Sequence, residues 1–228
     1  MTYFSAQHRD PAMEVFEQHL QGVIPQHFGR FIDGEPLNLG EQLSDHMHLH
    51  LFVWPPTVQR NMWTLVTAGM SAHRMNVPPG FEQYERIELV MTLPAEWPPI
   101  DEIHQMSSNR TETYSWPFDE LNHLARLPYL HNTWLGRGHT VRAHPSLDDT
   151  YPGTQFSGVL VEAVSSLPSE AMSFEVAGTT VHCFGLYPLY PQELRGIIDR
   201  QVSGHEWFHR CFDAGLHEGL FANRPAFV

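Results

Sequence analysis

Apolar and polar positions along the chain fall into two rhythms. Met13, Val15, Phe16 and Leu20 recur at helical spacing, with Asp10 placed to cap and Pro11 at the first helical position; this first helix is expected to end near Gly22. Residues 28–40 hold several Gly and Pro and read as an irregular connection. From Asp45 the rhythm changes to strict alternation, so Met47, Leu49, Leu51 and Val53 share one face of a strand that Pro55-Pro56 stops. A second β-rich run covers 63–68 and a third covers 84–93, joined by short Pro- and Gly-containing links, as in an antiparallel sheet. Ser115-Trp116-Pro117 then opens a helix with Phe118, Leu121, Leu124, Ala125 and Leu127 as its stripe, and Pro128 is expected to kink or end it. A short extended piece at 139–142 and a polar, turn-rich stretch at 145–154 follow. Further strands are expected at 156–164, 174–176 and 180–187, the last continuously apolar and therefore central. Leu194, Ile197, Ile198 and Val202 begin a closing helical stripe that resumes, after Gly204, with Trp207, Phe208, Cys211 and Phe212.

No segment resembles a linker and no fixed-period repeat appears, so residues 1–228 are read as one α+β domain. A length of 228 residues suffices for one substantial core, and 42% hydrophobic with 17% charged residues is a globular balance. The 26 acidic residues outnumber 13 basic ones, all Arg, for a formal charge of −13, which disfavours nucleic acid as a partner. There is no basic region followed by an apolar core at the start and no apolar run long enough to span a membrane, so a cytoplasmic location is expected. Two cysteines, Cys183 and Cys211, lack metal-ligand spacing and fit a reduced compartment.

Four blocks, in order, resemble the suppressor of fused family, in particular its N-terminal domain and its single-domain bacterial type. They are the run from Met62-Trp63-Thr64-Leu65 to Gly69-Met70-Ser71; Arg86-Ile87-Glu88-Leu89 with Leu93-Pro94; Trp116-Pro117, Leu124-Ala125-Arg126, Asn132-Thr133 and Gly138-His139-Thr140; and Phe184-Gly185-Leu186-Tyr187-Pro188-Leu189 with Gln192-Glu193-Leu194. The resemblance covers roughly residues 45–215. It implies an α+β domain with a mixed, largely antiparallel sheet flanked by helices, no catalytic residues and no cofactor. It also implies a protein-binding role. The eukaryotic relative seats a transcription factor in a cleft shared with a second domain that is not expected here, whereas the bacterial relatives are thought to be immunity proteins that bind and neutralise a toxin. An acidic chain suits a toxin with a basic surface.

Individual residues carry competing chemistry. His46, His48 and His50 alternate along one strand face; the span from first to last is about 13 Å, so only an adjacent pair, His46 with His48, is able to share an ion in a metal-dependent hydrolase. The alternative for this face is plain solvation. Cys183 adjoins His182, but neighbours on a strand point to opposite faces, which denies the thiol its base and favours a small core residue. Gly136-Arg137-Gly138-His139 follows a helix and precedes a strand, the reverse of a phosphate cradle, and reads as a turn needing positive φ. Asn132, Thr133 and His139 either line a peptide-binding edge or brace that turn. Asp148 and Asp149 offer an acidic loop for a basic partner, or an ordinary solvated turn. Sixteen His also suit a pH-responsive interaction module. The tryptophans are expected to be structural anchors.

Overall fold

The computed structural model describes residues 11–40, 47–103, 105–219 and 224–227. Strands β1 (Leu37–Gly40), β2 (His50–Trp54), β3 (Met62–Ala68) and β4 (Ile87–Pro94) form an antiparallel meander. β4 then pairs in parallel with β8 (Thr179–Leu189), Ile87 opposite His182. The second half of β8 pairs antiparallel with β6 (Gly158–Ala163), which pairs with β5 (Thr140–Arg142), while β7 (Ser173–Val176) flanks the first half of β8. The spatial order is β1-β2-β3-β4-β8-β6-β5. It is the mixed, largely antiparallel sheet that the resemblance implies, and β8 is central.

Helices cover both faces. α1 (Pro11–Phe28) lies on one, burying Leu20, Ile24 and Phe28 against Phe52, Trp54, Val66 and Val181. α3 (Ser108–His131), preceded by the single turn α2 (Ile100–Ile103), lies on the other, burying Leu121, Leu124 and Ala125 against Leu65, Leu89, Met91 and Val161. α4 (Pro191–Ile198) and α5 (Gly204–Asp213) close the face shared with α1, over Leu160, Tyr187 and Leu189. None of these helices is long and apolar enough to cross a membrane.

Four expectations are corrected. α1 passes Gly22 and runs through Pro25 to Phe28; losing one amide donor and accommodating the ring costs about 3 kcal/mol. Burying Ile24 and Phe28, both fully inaccessible, returns about 1.5–3 kcal/mol each. α3 likewise begins at Ser108 rather than Ser115 and includes both Pro117 and Pro128. Its first turns carry hydroxyl bonds, Thr111 to Ser107 O and Thr113 to Asn109 O, in place of an apolar stripe, so no periodicity marks them. The connection at 28–40 contains β1, whose short length and edge position leave little pattern to read. Finally, the strand expected from Asp45 starts at His50, and its supposed polar face continues into Phe52 and Trp54, both buried beneath α1.

Among the described residues six glutamates, at 17, 88, 120, 162, 193 and 218, are buried, so part of the negative charge counted in the composition is interior. Glu88 is held by neutral donors: it accepts from the Thr67 and Ser71 hydroxyls and the Gly69 and Ser71 amides. Glu193 accepts two guanidinium bonds from Arg224, at 2.6 and 2.7 Å.

Candidate functional site

The strand order ends at β1 on one side and at β5 on the other, and the β5 end has a groove beside it. β5 ends the strand order, and no described strand pairs beyond it. Ala143 donates to Ser157 O and His139 accepts from Val161 N, so the odd-numbered residues face β6. By the alternation of an antiparallel ladder, the amides and carbonyls of Thr140 and Arg142 point outward.

The residues before β5 shape a groove beside that edge. α3 ends on Asn132 in the left-handed region (φ 48°), where its amide and that of Thr133 both donate to Pro128 O. Asn76 fixes this turn, its amide donating to Thr133 O and its side chain to Asn132 O. Gly136 permits the next approach, since a Cβ there would lie 2.3 Å from the Trp134 ring, and Gly138 adopts φ 85°. His139 then packs on Trp134 with ring centroids 4.3 Å apart, and the ring of Phe81, 44% exposed, lies 5.2 Å from that of Trp134. The groove, about 720 Å³, is lined among others by Leu127, Thr133, Trp134, His139, Val141 and His144. Burial lowers the His139 pKa, against a smaller opposite effect from the Trp134 backbone, so its imidazole is neutral at pH 7. A partly aromatic groove that carries one permanent charge, Arg142, beside outward-facing backbone groups suits an extended segment: main-chain bonds supply affinity and the groove reads alternate side chains.

A model of the suppressor of fused protein family matches residues 44–206. The chain belongs to the suppressor of fused family. Solved structures carry the same fold. A suppressor of fused homologue from Neisseria gonorrhoeae is 15% identical, with 93% of this chain and 97% of that one covered and a TM-score of 0.61. Drosophila Suppressor of Fused is also 15% identical at a TM-score of 0.57, and this chain spans about half of it: 96% of this chain is covered and 51% of that one. A chain of the Sufu-Fu complex is 16% identical, with 94% and 91% covered and a TM-score of 0.55. No curated protein sequence matches the chain.

In this family member, Thr133 and His139 meet in the groove, and Asn132 caps the helix behind them. Asp148 and Asp149 do not line it; Asp148 is tied to Arg195 of α4 at 2.7 Å, and both carboxylates are exposed. Trp134 and Leu127 are groove residues that sequence reasoning missed, as was Phe81, which packs on Trp134. The available signal was Trp134 two residues before the Gly136-Arg137-Gly138 turn; its ring is half-buried, like those of Trp63 and Trp97, where Trp54, Trp116 and Trp207 are buried.

The histidine strand is taken up differently. His46 lies outside the described residues. His48 Nδ1 sits 3.8 Å from Glu17, and His50 bonds Asn38 Oδ1 at 2.9 Å and Gln21 Nε2 at 2.8 Å through its two ring nitrogens. Among the described residues, no three His, Cys, Asp or Glu side chains converge on a common ion position. Cys183 is buried beneath α1, and burial, reinforced by Glu88, pushes its thiol well above the usual range. His182 points to the other face, 5.0 Å from the Tyr84 ring. Cys211 is pushed up to about 12, again chiefly by burial. Both thiols are protonated at neutral pH and are poor nucleophiles.

Proposed function

We propose that this chain is a non-catalytic binding module that captures an extended segment of a partner protein along β5, and that it acts in the cytoplasm as an immunity protein neutralising a toxin. The outward-facing backbone of Thr140 and Arg142 beside the Trp134 groove is the observation that carries this reading. Family membership supports it, since one structurally similar member was solved in the Sufu-Fu complex. The net charge of −13 favours a toxin with a basic surface, with association slowed by salt.

Thr140→Pro tests the edge. Proline removes a donor that points away from β6, as edge positions tolerate, so unfolding stability should stay within about 1 kcal/mol of the parent. Untagged protein isolated gently from its host is expected to show, by native mass spectrometry, the chain plus one discrete protein. The Thr140→Pro variant should bind that partner at least about tenfold more weakly, through a lost main-chain bond and the ring at the edge. Unchanged affinity would place the contact elsewhere. A captured partner that is harmless when expressed alone would refute the immunity role while leaving the binding role standing.

A further inference from the structure

The N-terminal turns of α5 carry a feature independent of the β5 edge. His205 and His209, four residues apart, share one helix face, and their Nε2 atoms lie 3.0 Å from each other. His205 turns its other nitrogen, Nδ1, to Oε1 of Glu162 at 3.3 Å. Glu162 is 1% exposed on β6, and its second oxygen accepts from Arg137 Nε at 2.8 Å and from the Ala163 amide at 2.9 Å, so the carboxylate is held in place. A carboxylate on Nδ1 fixes the His205 proton there and leaves the Nε2 lone pair facing His209, the arrangement found behind metal-bound imidazoles. Both rings are exposed, so the remaining positions around an ion are open to water.

We propose that His205 and His209 bind one divalent transition-metal ion through their two Nε2 atoms, with Glu162 orienting His205. Metal–nitrogen bonds of about 2.0–2.1 Å meeting at a right angle place the nitrogens roughly 2.9 Å apart, whereas a tetrahedral angle needs about 3.4 Å. The observed 3.0 Å therefore suits the tetragonal or octahedral geometry of Cu2+ or Ni2+ better than tetrahedral Zn2+. On binding, the His209 proton moves from Nε2 to Nδ1 through solvent, and the ion accepts one lone pair from each ring.

The test is isothermal titration of the untagged full chain with Ni2+ and Zn2+, and nitrogen hyperfine structure in the electron paramagnetic resonance spectrum of the Cu2+ form. One ion per chain is expected, bound more tightly as Ni2+ than as Zn2+, with two nitrogens on Cu2+. His205→Ala and His209→Ala, both at exposed positions, should each weaken Ni2+ by at least about tenfold. Glu162→Gln, checked for native circular dichroism, should weaken it by about tenfold through the lost orientation. Absence of binding, binding that survives both histidine substitutions, or loss in His46→Ala/His48→Ala instead would overturn the proposal, and tighter Zn2+ than Ni2+ would overturn its geometry.

Discussion

At pH 8 the Glu120→Gln variant is expected to resist urea better than the parent, by up to roughly 3 kcal/mol, while at pH 4.5 the two should be nearly equal. Glu120 projects from α3 into the layer beneath Tyr151, whose ring stacks on Trp116 at 4.2 Å. Glu120 Oε1, the Tyr151 hydroxyl and Trp116 Nε1 are buried with no well-formed hydrogen bond among the described residues. Burial pushes the Glu120 carboxyl up to about 7, and the poorly aligned Tyr151 hydroxyl offsets only part of that effect. The folded chain therefore holds this proton more tightly than the unfolded one. Its contribution is complete below the ordinary carboxylate range near 4.5 and is lost as pH rises towards 7, beyond which an uncompensated charge is trapped. Gln keeps the shape without the charge. Urea titrations of both proteins across pH 4.5–8 check this, and a constant difference would show that Glu120 is not the titrating group.

Arg224→Ala should have the other large effect, a loss of about 3–5 kcal/mol, because it strands a buried charge. The Arg224 guanidinium bonds both oxygens of Glu193 and the Pro188 carbonyl, and lies 4.6–5.6 Å from the ring centres of Tyr190, Trp207, Phe227 and Phe156. Glu193 is fully inaccessible and also accepts the amides of Tyr190 and Phe227, so it joins the start of α4 to the segment at 224–227. Removing Arg224 leaves those bonds but takes away the counter-charge and the ring contacts. The double variant Glu193→Gln/Arg224→Met should recover much of the loss, since replacing a buried pair costs less than breaking it. Equal stability of Arg224→Ala and the parent in urea would show that the pair contributes little.

The strands were legible wherever a run of apolar and β-branched residues sat between Gly and Pro, as at β3, β4 and β8. Helix limits were less so. Gly22 read as the end of the first helix, Pro117 as part of the opening of the second and Pro128 as its kink or end, because local propensity disfavours Gly and Pro inside a helix, yet tertiary burial of Ile24, Phe28 and Leu121 carries the helices through. The candidate edge was half visible: Thr133 and His139 could be named, but the groove also needs Leu127 of α3 and a Trp134 ring braced by Phe81, brought together by contacts that no local spacing encodes. Likewise His205 and His209 stand at helical spacing in the sequence, but the carboxylate behind them comes from β6, forty-odd residues earlier. The buried glutamates were hidden altogether, since nothing local separates Glu88 or Glu193 from a surface acid.

The parallel joint between β4 and β8 has a consequence for how the molecule is made. β2, β3 and β4 form by local hairpin pairing, but the open side of β4 finds its partner only when the chain around His182 exists. Until then β4 keeps an unpaired edge, even though the helices that cover its two faces, α1 over Val90 and α3 over Leu89, both precede β8 in the chain. Long-range parallel pairing is slow because loop closure precedes its reward. Nascent chains halted before residue 179 therefore present β4 as an unpaired edge and are expected to self-associate more readily than the full chain, which sedimentation of arrested chains checks.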